Sequence, residues 1–317
     1  MSTKYIFYAE GGFGEGMGHL FRSRNLVKNL GITDDTIFLY KNKYQKKFLK
    51  EHNLKNFDLY KYKPDKKNSL HLFDTKKDFS KDIDMFNLDR ESIVCIDNFS
   101  EARKKCKFEV YPSFFHQDKF FKSSSKGIFS GHKFSILNQK LLKNISLNNK
   151  REKVIISFGG EDPNNLTLKV LSLIDDVNIL KKTIVILGPN YKFPIEDLTK
   201  FISKKQIIRN PKNIYEIFSN GHCSITALGV TLQELLRLNT PIILVNNFET
   251  DLEDIKKIEK FCSRKVGKNF FFYIGSHKSI NSSLLNKAIF SSESYSFKTN
   301  FNNEVMGSSW DLVKMFS

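Results

Sequence analysis

The residues that most restrict how this chain folds are the short apolar run Tyr5-Ile6-Phe7-Tyr8 and the glycine-bearing segment Gly14-Glu15-Gly16-Met17-Gly18-His19 behind it. An apolar run, a glycine turn and then helical spacing to Leu30 read as strand, turn and helix, the opening of a parallel α/β sheet. Free backbone N–H groups and the helix dipole converge at the start of such a helix, where they favour a phosphate or a developing negative charge. A strand-to-helix turn without a ligand carries the same glycines, so the segment alone leaves both readings open.

The rhythm then repeats. Thr36–Tyr40 reads as a second strand, Tyr44–Glu51 as a polar helix and Phe57–Tyr60 as a short third strand. From Lys61 to Arg90 the chain is charged and poorly periodic, and Asp65, Asp74, Asp78, Asp82 and Asp84 are expected on solvated loop or helix surface. Ser92–Ile96 is a buried strand that delivers Asp97 at its carboxyl end, where open α/β sheets place ligands. Asp97 is expected to orient His19 or a substrate hydroxyl, with a structural cap as the alternative. Phe108–Tyr111 is expected as an edge strand and Lys122–Lys126 as a serine-lysine turn.

The hydrophilic stretch Asn138–Lys153 is expected to hold a domain boundary. Beyond it, Val154–Phe158, Thr183–Leu187, Gln206–Ile208, Cys223–Thr226 and Pro241–Val245 alternate with helical segments, Phe270–Ile274 is core or a late edge strand, and Trp310–Phe316 is a final amphipathic helix. The fold class expected is α/β, two doubly wound Rossmann-like domains facing each other across a cleft. Residues 1–143 form the domain bearing His19, residues 144–285 the nucleotide-binding domain, and residues 286–317 a C-terminal extension.

Two turns in the second half can expose several N–H groups. Gly159-Gly160 lacks side-chain bulk and precedes Asn164 and Thr167; Leu228-Gly229-Val230-Thr231 has the same form, with Glu234 about one helical turn further on. Together they suggest a diphosphate held without a metal and a carboxylate on a ribose hydroxyl. Of seven histidines none makes an HExxH motif or a close carboxylate-histidine cluster, so no metal is expected. His19 is singled out by position: an imidazole at the mouth of a sheet can take a proton from water or a hydroxyl.

Composition removes other classes. The formal charge of +17, with lysines clustered at 41–50 and 61–67, can attract nucleic acid, anionic lipid or a phosphorylated small molecule. No repeated aromatic-basic motif of an RNA platform is present, so nucleic acid is not an expected partner; peripheral membrane contact stays open. No run of about 20 apolar residues and no signal segment is present. Cys95, Cys106, Cys223 and Cys262 form no CxxC pair, which fits a reducing cytoplasm.

Three motifs, Gly16-Met17-Gly18-His19-Leu20-Phe21-Arg22, Gly159-Gly160-Glu161-Asp162-Pro163-Asn164-Asn165-Leu166-Thr167 and Gly229-Val230-Thr231-Leu232-Gln233-Glu234, resemble in order the signatures of the UDP-sugar hydrolases of pseudaminic acid synthesis. That family is similar to the N-acetylglucosaminyltransferase of peptidoglycan synthesis, and both have the two-domain glycosyltransferase B fold. The resemblance implies UDP on the C-terminal domain, its diphosphate on the glycine turns and its ribose on Glu234, with no cofactor. Gly16 and Gly18 border the diphosphate, and Arg22 and Asn138 reach the sugar. His19 would direct water onto the anomeric carbon of a diacetamido-trideoxy sugar, assisted by Asp97. UDP leaves with inversion and the free sugar proceeds toward a nonulosonic acid. The alternatives are an inverting glycosyltransferase with a glycan or protein acceptor and a nucleotide-sugar-binding protein without catalysis.

Overall fold

The structure, a computed structural model, describes residues 3–12, 17–65, 68–112, 127–131, 134–142, 151–247 and 252–296. Gly16, the Lys122–Lys126 turn and the Trp310–Phe316 helix lie outside the described residues. The chain forms two compact units that divide between Gln139 and Lys140.

In the first unit β1 (Lys4–Ala9) leads to α1 (Gly18–Leu30), β2 (Thr36–Tyr40), α2 (Lys43–Glu51), β3 (Asn56–Asp58), β4 (Ser69–Asp74), α3 (Ser80–Phe86), β5 (Ile93–Ile96), β6 (Phe108–Tyr111) and β7 (Ile128–Ser130). All pairings are parallel, in the order β3-β2-β1-β4-β5-β6-β7. The helices begin and end where local chemistry dictates. Asn42 and Gln45 form a reciprocal capping box at the start of α2, and α1 stops at Gly31, whose left-handed φ of 70° lets its N–H reach Lys28 and Val27 carbonyls.

Central strands are buried on both faces, so alternate residues feed two cores. Phe7, Leu72 and Val94 enter one, while Ile6, Phe73 and Ile93 enter the other. Two expectations are corrected here. The charged Lys61–Arg90 region contains a central strand, β4, and the helix α3. Phe108–Tyr111 is not an edge, because β6 pairs with both β5 and β7.

After α4 (Gln139–Leu142) the second unit runs β8 (Lys153–Ile156), α5 (Leu166–Ser172), α6 (Val177–Lys182), β9 (Thr183–Leu187), α7 (Ile195–Leu198), β10 (Ile207–Arg209), α8 (Ile214–Ser219), β11 (Gly221–Thr226), α9 (Val230–Arg237), β12 (Ile242–Asn246), α10 (Leu252–Lys265), β13 (Phe271–Ser276) and α11 (Ser282–Ser292). Its sheet is also parallel throughout, ordered β10-β9-β8-β11-β12-β13. The expected break at 285/286 falls inside α11. Leu285, Ala288 and Ile289 of that helix belong to the same core as Val154, Val185 and Ile243. Among the described residues no helix is long and apolar enough to cross a membrane.

Both sheets reverse direction at one point. The first builds outward from β1 to β3 and returns on the other side of β1 with β4; the second does the same around β8 with β11. The strand ends beside such a reversal leave a crevice that no crossover covers, where α/β sheets bind ligands.

Candidate functional site

At the first reversal Asp74 ends β4, in register with Ala9 of β1 and Ile96 of β5. It has 0 % of its surface exposed, and a buried carboxylate is tolerated only when donors surround it. The donors come from α1. His19 Nδ1 lies 2.7 Å from Asp74 Oδ1, Ser23 Oγ donates to Oδ2 at 2.9 Å, and Arg22 Nε donates to Oδ2 at 3.1 Å. Arg22 Nη2 also donates to Oδ1. His19, Arg22 and Ser23 lie within five residues of a helix that starts beside β4, so three of its side chains converge on one carboxylate.

Burial opposes ionisation of Asp74, but the Arg22 guanidinium and His19 outweigh it and hold the carboxyl below its ordinary range. An ionised carboxylate only accepts, so His19 Nδ1 carries the proton and Nε2 keeps the lone pair. Arg22 Nη2, 2.9 Å from Nδ1, therefore donates to Asp74 and not to the proton-bearing Nδ1. Arg22 itself is desolvated, yet Asp74 and Asp97 raise its pKa above the ordinary arginine value, so it stays a cation.

Asp97 Oδ2 accepts from Arg22 Nη1 at 3.1 Å, and Arg22 and Asp74 link it to His19. Asp97 holds a left-handed backbone, φ 57°, a conformation that Asp adopts more readily than most residues. Beside it Asn98, fully buried, donates to the Thr75 and Lys77 carbonyls at 2.6 and 2.9 Å. Glu10 closes the frame, accepting from Thr75 Oγ1 and pairing with Lys77. The loops after β1, β4 and β5 are thus fastened to one another.

The second reversal is built on glycine turns. Gly159, φ 77°, and Gly160 follow β8, and a Cβ on either would meet nothing within 4 Å. Their turn is pressed against Gly188, after β9, where a Cβ would lie 2.3 Å from the Gly159 oxygen and 2.5 Å from the Gly160 Cα. Only glycine fits at 188. After β11, Gly229 precedes α9 with open space where a side chain would be and no side-chain cap, leaving Val230 and Thr231 at an uncapped helix start; Leu228 is half-buried.

Glu234 lies one turn along α9, 9 % exposed, and its Oε1 accepts from Tyr215 Oη at 2.9 Å. The start of α5 is occupied by its own chain. Asp162, buried, accepts from the Leu166 and Thr167 N–H groups at 2.8 and 2.9 Å, so Thr167 serves the cap. Burial raises the Asp162 pKa, with these bonds opposing it. Asn164 is exposed and its amide meets Asn247, just past β12.

The structure therefore gathers His19, Arg22 and Asp97 at one sheet, and Gly159, Gly160 and 227–234 at the other. Gly18 opens α1 with free space at its Cα. Asn138 joins neither group. Its neighbours Leu137 and Gln139 bond to Asn29 and to the Lys28 carbonyl, at the far end of α1, about 15 Å from His19 at 1.5 Å rise per residue. Asp74 was missed, placed with Asp65, Asp78, Asp82 and Asp84 on solvated surface. The available signal was the pattern used for Asp97: Leu70, Leu72 and Phe73 form a short apolar run ending in Asp, like Ile93–Ile96 before Asp97. Asp65, Asp78 and Asp84 are exposed, and Asp82 pairs with Lys41. Among the described residues no group of three His, Cys, Asp or Glu side chains is placed to hold a metal ion.

No family model matches the chain. An uncharacterized protein of Methanocaldococcus jannaschii is 27% identical over 307 residues, covering 84% of this chain; the chain spans 61% of that relative's length. The spore coat polysaccharide biosynthesis protein SpsG of Bacillus subtilis is 22% identical over 261 residues, covering 76% of this chain and 77% of that protein. Among solved structures, the kitacinnamycin glycotransferase matches with a TM-score of 0.65 at 9% identity over 99% of this chain and 98% of that one. UGT89C1 of Arabidopsis thaliana complexed with UDP gives 0.62 at 10% over 100% and 98%, and MurG of Acinetobacter baumannii 0.59 at 10% over 99% of each. These likenesses show the fold: two Rossmann-like α/β units with parallel sheets, as in glycosyltransferases of the B fold.

Proposed function

We propose that the chain transfers a sugar from a nucleoside diphosphate carrier, with UDP the expected nucleotide, to an acceptor hydroxyl with inversion at the anomeric carbon. The observation that carries this reading is the 2.7 Å bond between His19 Nδ1 and Asp74, which leaves Nε2 as a proton acceptor at the carboxyl edge of the first sheet. In the step, Nε2 takes the proton of the acceptor hydroxyl while its oxygen forms the bond to C1. The C1–O bond to the diphosphate breaks, and its electron pair leaves on the phosphate oxygen. Asp74, Asp97 and Arg22 together carry one negative charge, which the imidazolium formed in the step balances.

The leaving diphosphate needs donors that are already in place. Gly159, Gly160 and Leu228-Gly229-Val230-Thr231 fit that role through backbone N–H groups, with Glu234 on the ribose. Asn164 and Gly18 border the ligand, and Thr167 acts by holding α5 through Asp162. Arg22 is reassigned from sugar contact to holding Asp74 and Asp97. The full-length likeness in fold to glycosyltransferases is in keeping with transfer; a glycan or protein is the acceptor class proposed.

Water as acceptor is the second reading, favoured by the glycine-histidine and Gly159–Thr167 motifs, which resemble the UDP-sugar hydrolases of pseudaminic acid synthesis. Incubation with UDP- and CMP-sugars, with and without glycan acceptors, separates the two. UDP release that depends on acceptor is expected for transfer. Free sugar formed at the same rate without acceptor selects hydrolysis, and no release from any donor rejects both.

A further inference from the structure

We propose that an apolar and basic surface of the first unit, built on Tyr60, Lys61, Tyr62 and Lys63, docks the protein on an anionic lipid bilayer. The surface holds none of the residues assigned to donor binding or proton transfer, and the proposal stands independently of those roles. It follows from the crossover between β3 and β4. The sheet order β3-β2-β1-β4 makes this connection pass β2 and β1. The connection from β1 to β2 carries the 13-residue α1, but among the described residues the one from β3 to β4 carries a single 3₁₀ turn, Leu59–Lys61. Beside it lies the end of α3, and a groove of about 300 Å³ opens between residues 59–64 and 85–87. Leu59 and Phe86, which line it, are buried members of the core that contains Ile6 and Phe73.

The rim of the groove is apolar where contact with water favours polar groups. Phe57 is 47 %, Met85 49 % and Tyr60 73 % exposed, and the Tyr62 ring meets Phe57 edge-on at 5.9 Å and Phe86 at 6.2 Å. Lysines alternate with these rings, and residues 59–67 carry four lysines and one aspartate. Lys61 and Lys63 are exposed and pair with no carboxylate among the described residues, whereas Lys41, Lys77 and Lys105 of the same unit do. The partner of Lys105 is Asp84, next to Met85, so the one carboxylate beside that methionine is already matched. This charge selects the occupant. At a bilayer surface a tyrosine ring sets its apolar body against the acyl boundary and its hydroxyl among headgroups, while a lysine stem follows apolar surface and brings its ammonium to a lipid phosphate. A second copy of the chain seated symmetrically on this face would bring the same lysines together.

The test is sedimentation of the full chain with vesicles of phosphatidylcholine alone and of phosphatidylcholine and phosphatidylglycerol in equal parts. Wild type is expected to bind the anionic vesicles only, and less at high salt. Lys61→Gln with Lys63→Gln should weaken binding about fivefold per lysine, and Phe57→Ser with Tyr60→Ser about tenfold, each variant shown folded by its thermal transition. Lys204→Gln with Lys205→Gln, which removes the same charge from an exposed stretch of the second unit, should bind as wild type does. Equal weakening by this control pair would reduce the attraction to net charge and overturn the proposal. A wild type that stays in the supernatant with anionic vesicles would overturn it too. A dimer in light scattering that Phe57→Ser with Tyr60→Ser converts to monomer would assign the face to a second copy instead.

Discussion

Between β1 and β4 the first unit buries a carboxylate under an imidazole, a guanidinium and a hydroxyl. At the matching place between β8 and β11 the second unit offers two glycines, an uncapped helix start and empty space. The strand order is the same, so topology does not account for the difference. What differs is the first two turns of the helix after the central strand: α1 presents His19, Arg22 and Ser23, while α5 is capped by Asp162 of its own chain. Under the proposed function one crevice holds and moves a proton and the other receives an anion. A single fold supplies two kinds of chemistry because the strand ends fix where a site lies and the loop residues fix what it does.

The strongest way to break this contrast is Asp74→Asn. An amide can accept or donate, so it no longer dictates which His19 nitrogen carries the proton, and turnover is expected to fall about a thousandfold. Loss of the buried charge leaves Arg22 undercompensated, and stability should drop by about 3 kcal/mol in urea unfolding. Affinity for UDP should not change, because Asp74 belongs to the other unit. A variant with wild-type turnover would remove Asp74 from the account.

Two glycines of the second unit give the next effects. Gly188→Ala forces a methyl into the Gly159-Gly160 backbone, and overpacking of this kind costs about 2 kcal/mol, read by denaturant unfolding. Gly229→Ala adds the same methyl to open space on extended backbone, φ 166°, and should leave stability unchanged. Gly160→Val should keep the fold but cover N–H groups, weakening UDP about tenfold in calorimetric titration. Equal effects of the alanines at 188 and 229 would contradict the packing described.

The smallest effect concerns pH. His71, on the same strand as Asp74, is buried between Tyr8 and Ser69, and burial lowers its pKa to about 4. In the unfolded chain an ordinary histidine titrates near 6.5. Between those values the unfolded state binds more protons, so stability is complete above about pH 6.5 and declines as pH falls toward about 4. Asp74, with its depressed pKa, adds a loss only below the ordinary carboxylate range. Unfolding free energies of His71→Phe across this window should show a slope shallower by up to about one proton. An unchanged slope would place the sensitivity elsewhere.

Much of this organisation was legible in the residues themselves. Thr36–Tyr40 and Thr183–Leu187 are strands with the bounds expected, since each is a short apolar run between turn residues. The two glycine turns follow β8 and β11, neighbouring strands of one sheet, and Glu234 stands in the helix after the second. The losses share a cause: polar residues in a central strand erase its apolar pattern. Ser69, His71 and Asp74 made β4 read as surface, yet all three are buried, and His71 and Asp74 meet partners across the chain, Tyr8 and His19, that no local pattern displays. Asp162 was visible as a motif member, but its role as the α5 cap depends on a left-handed backbone at 162 and 165. Asn138, expected at the sugar from the resemblance, has its sequence neighbours bonded to the far end of α1.

The division of labour is tested most directly by measuring UDP binding and UDP-sugar turnover in the same His19→Ala protein. The account predicts a UDP dissociation constant within about twofold of wild type, because the nucleotide turns are untouched, and turnover about a thousandfold lower. Turnover retained at the wild-type rate, or UDP affinity lost along with it, would contradict the assignment of the base to one unit and the nucleotide to the other.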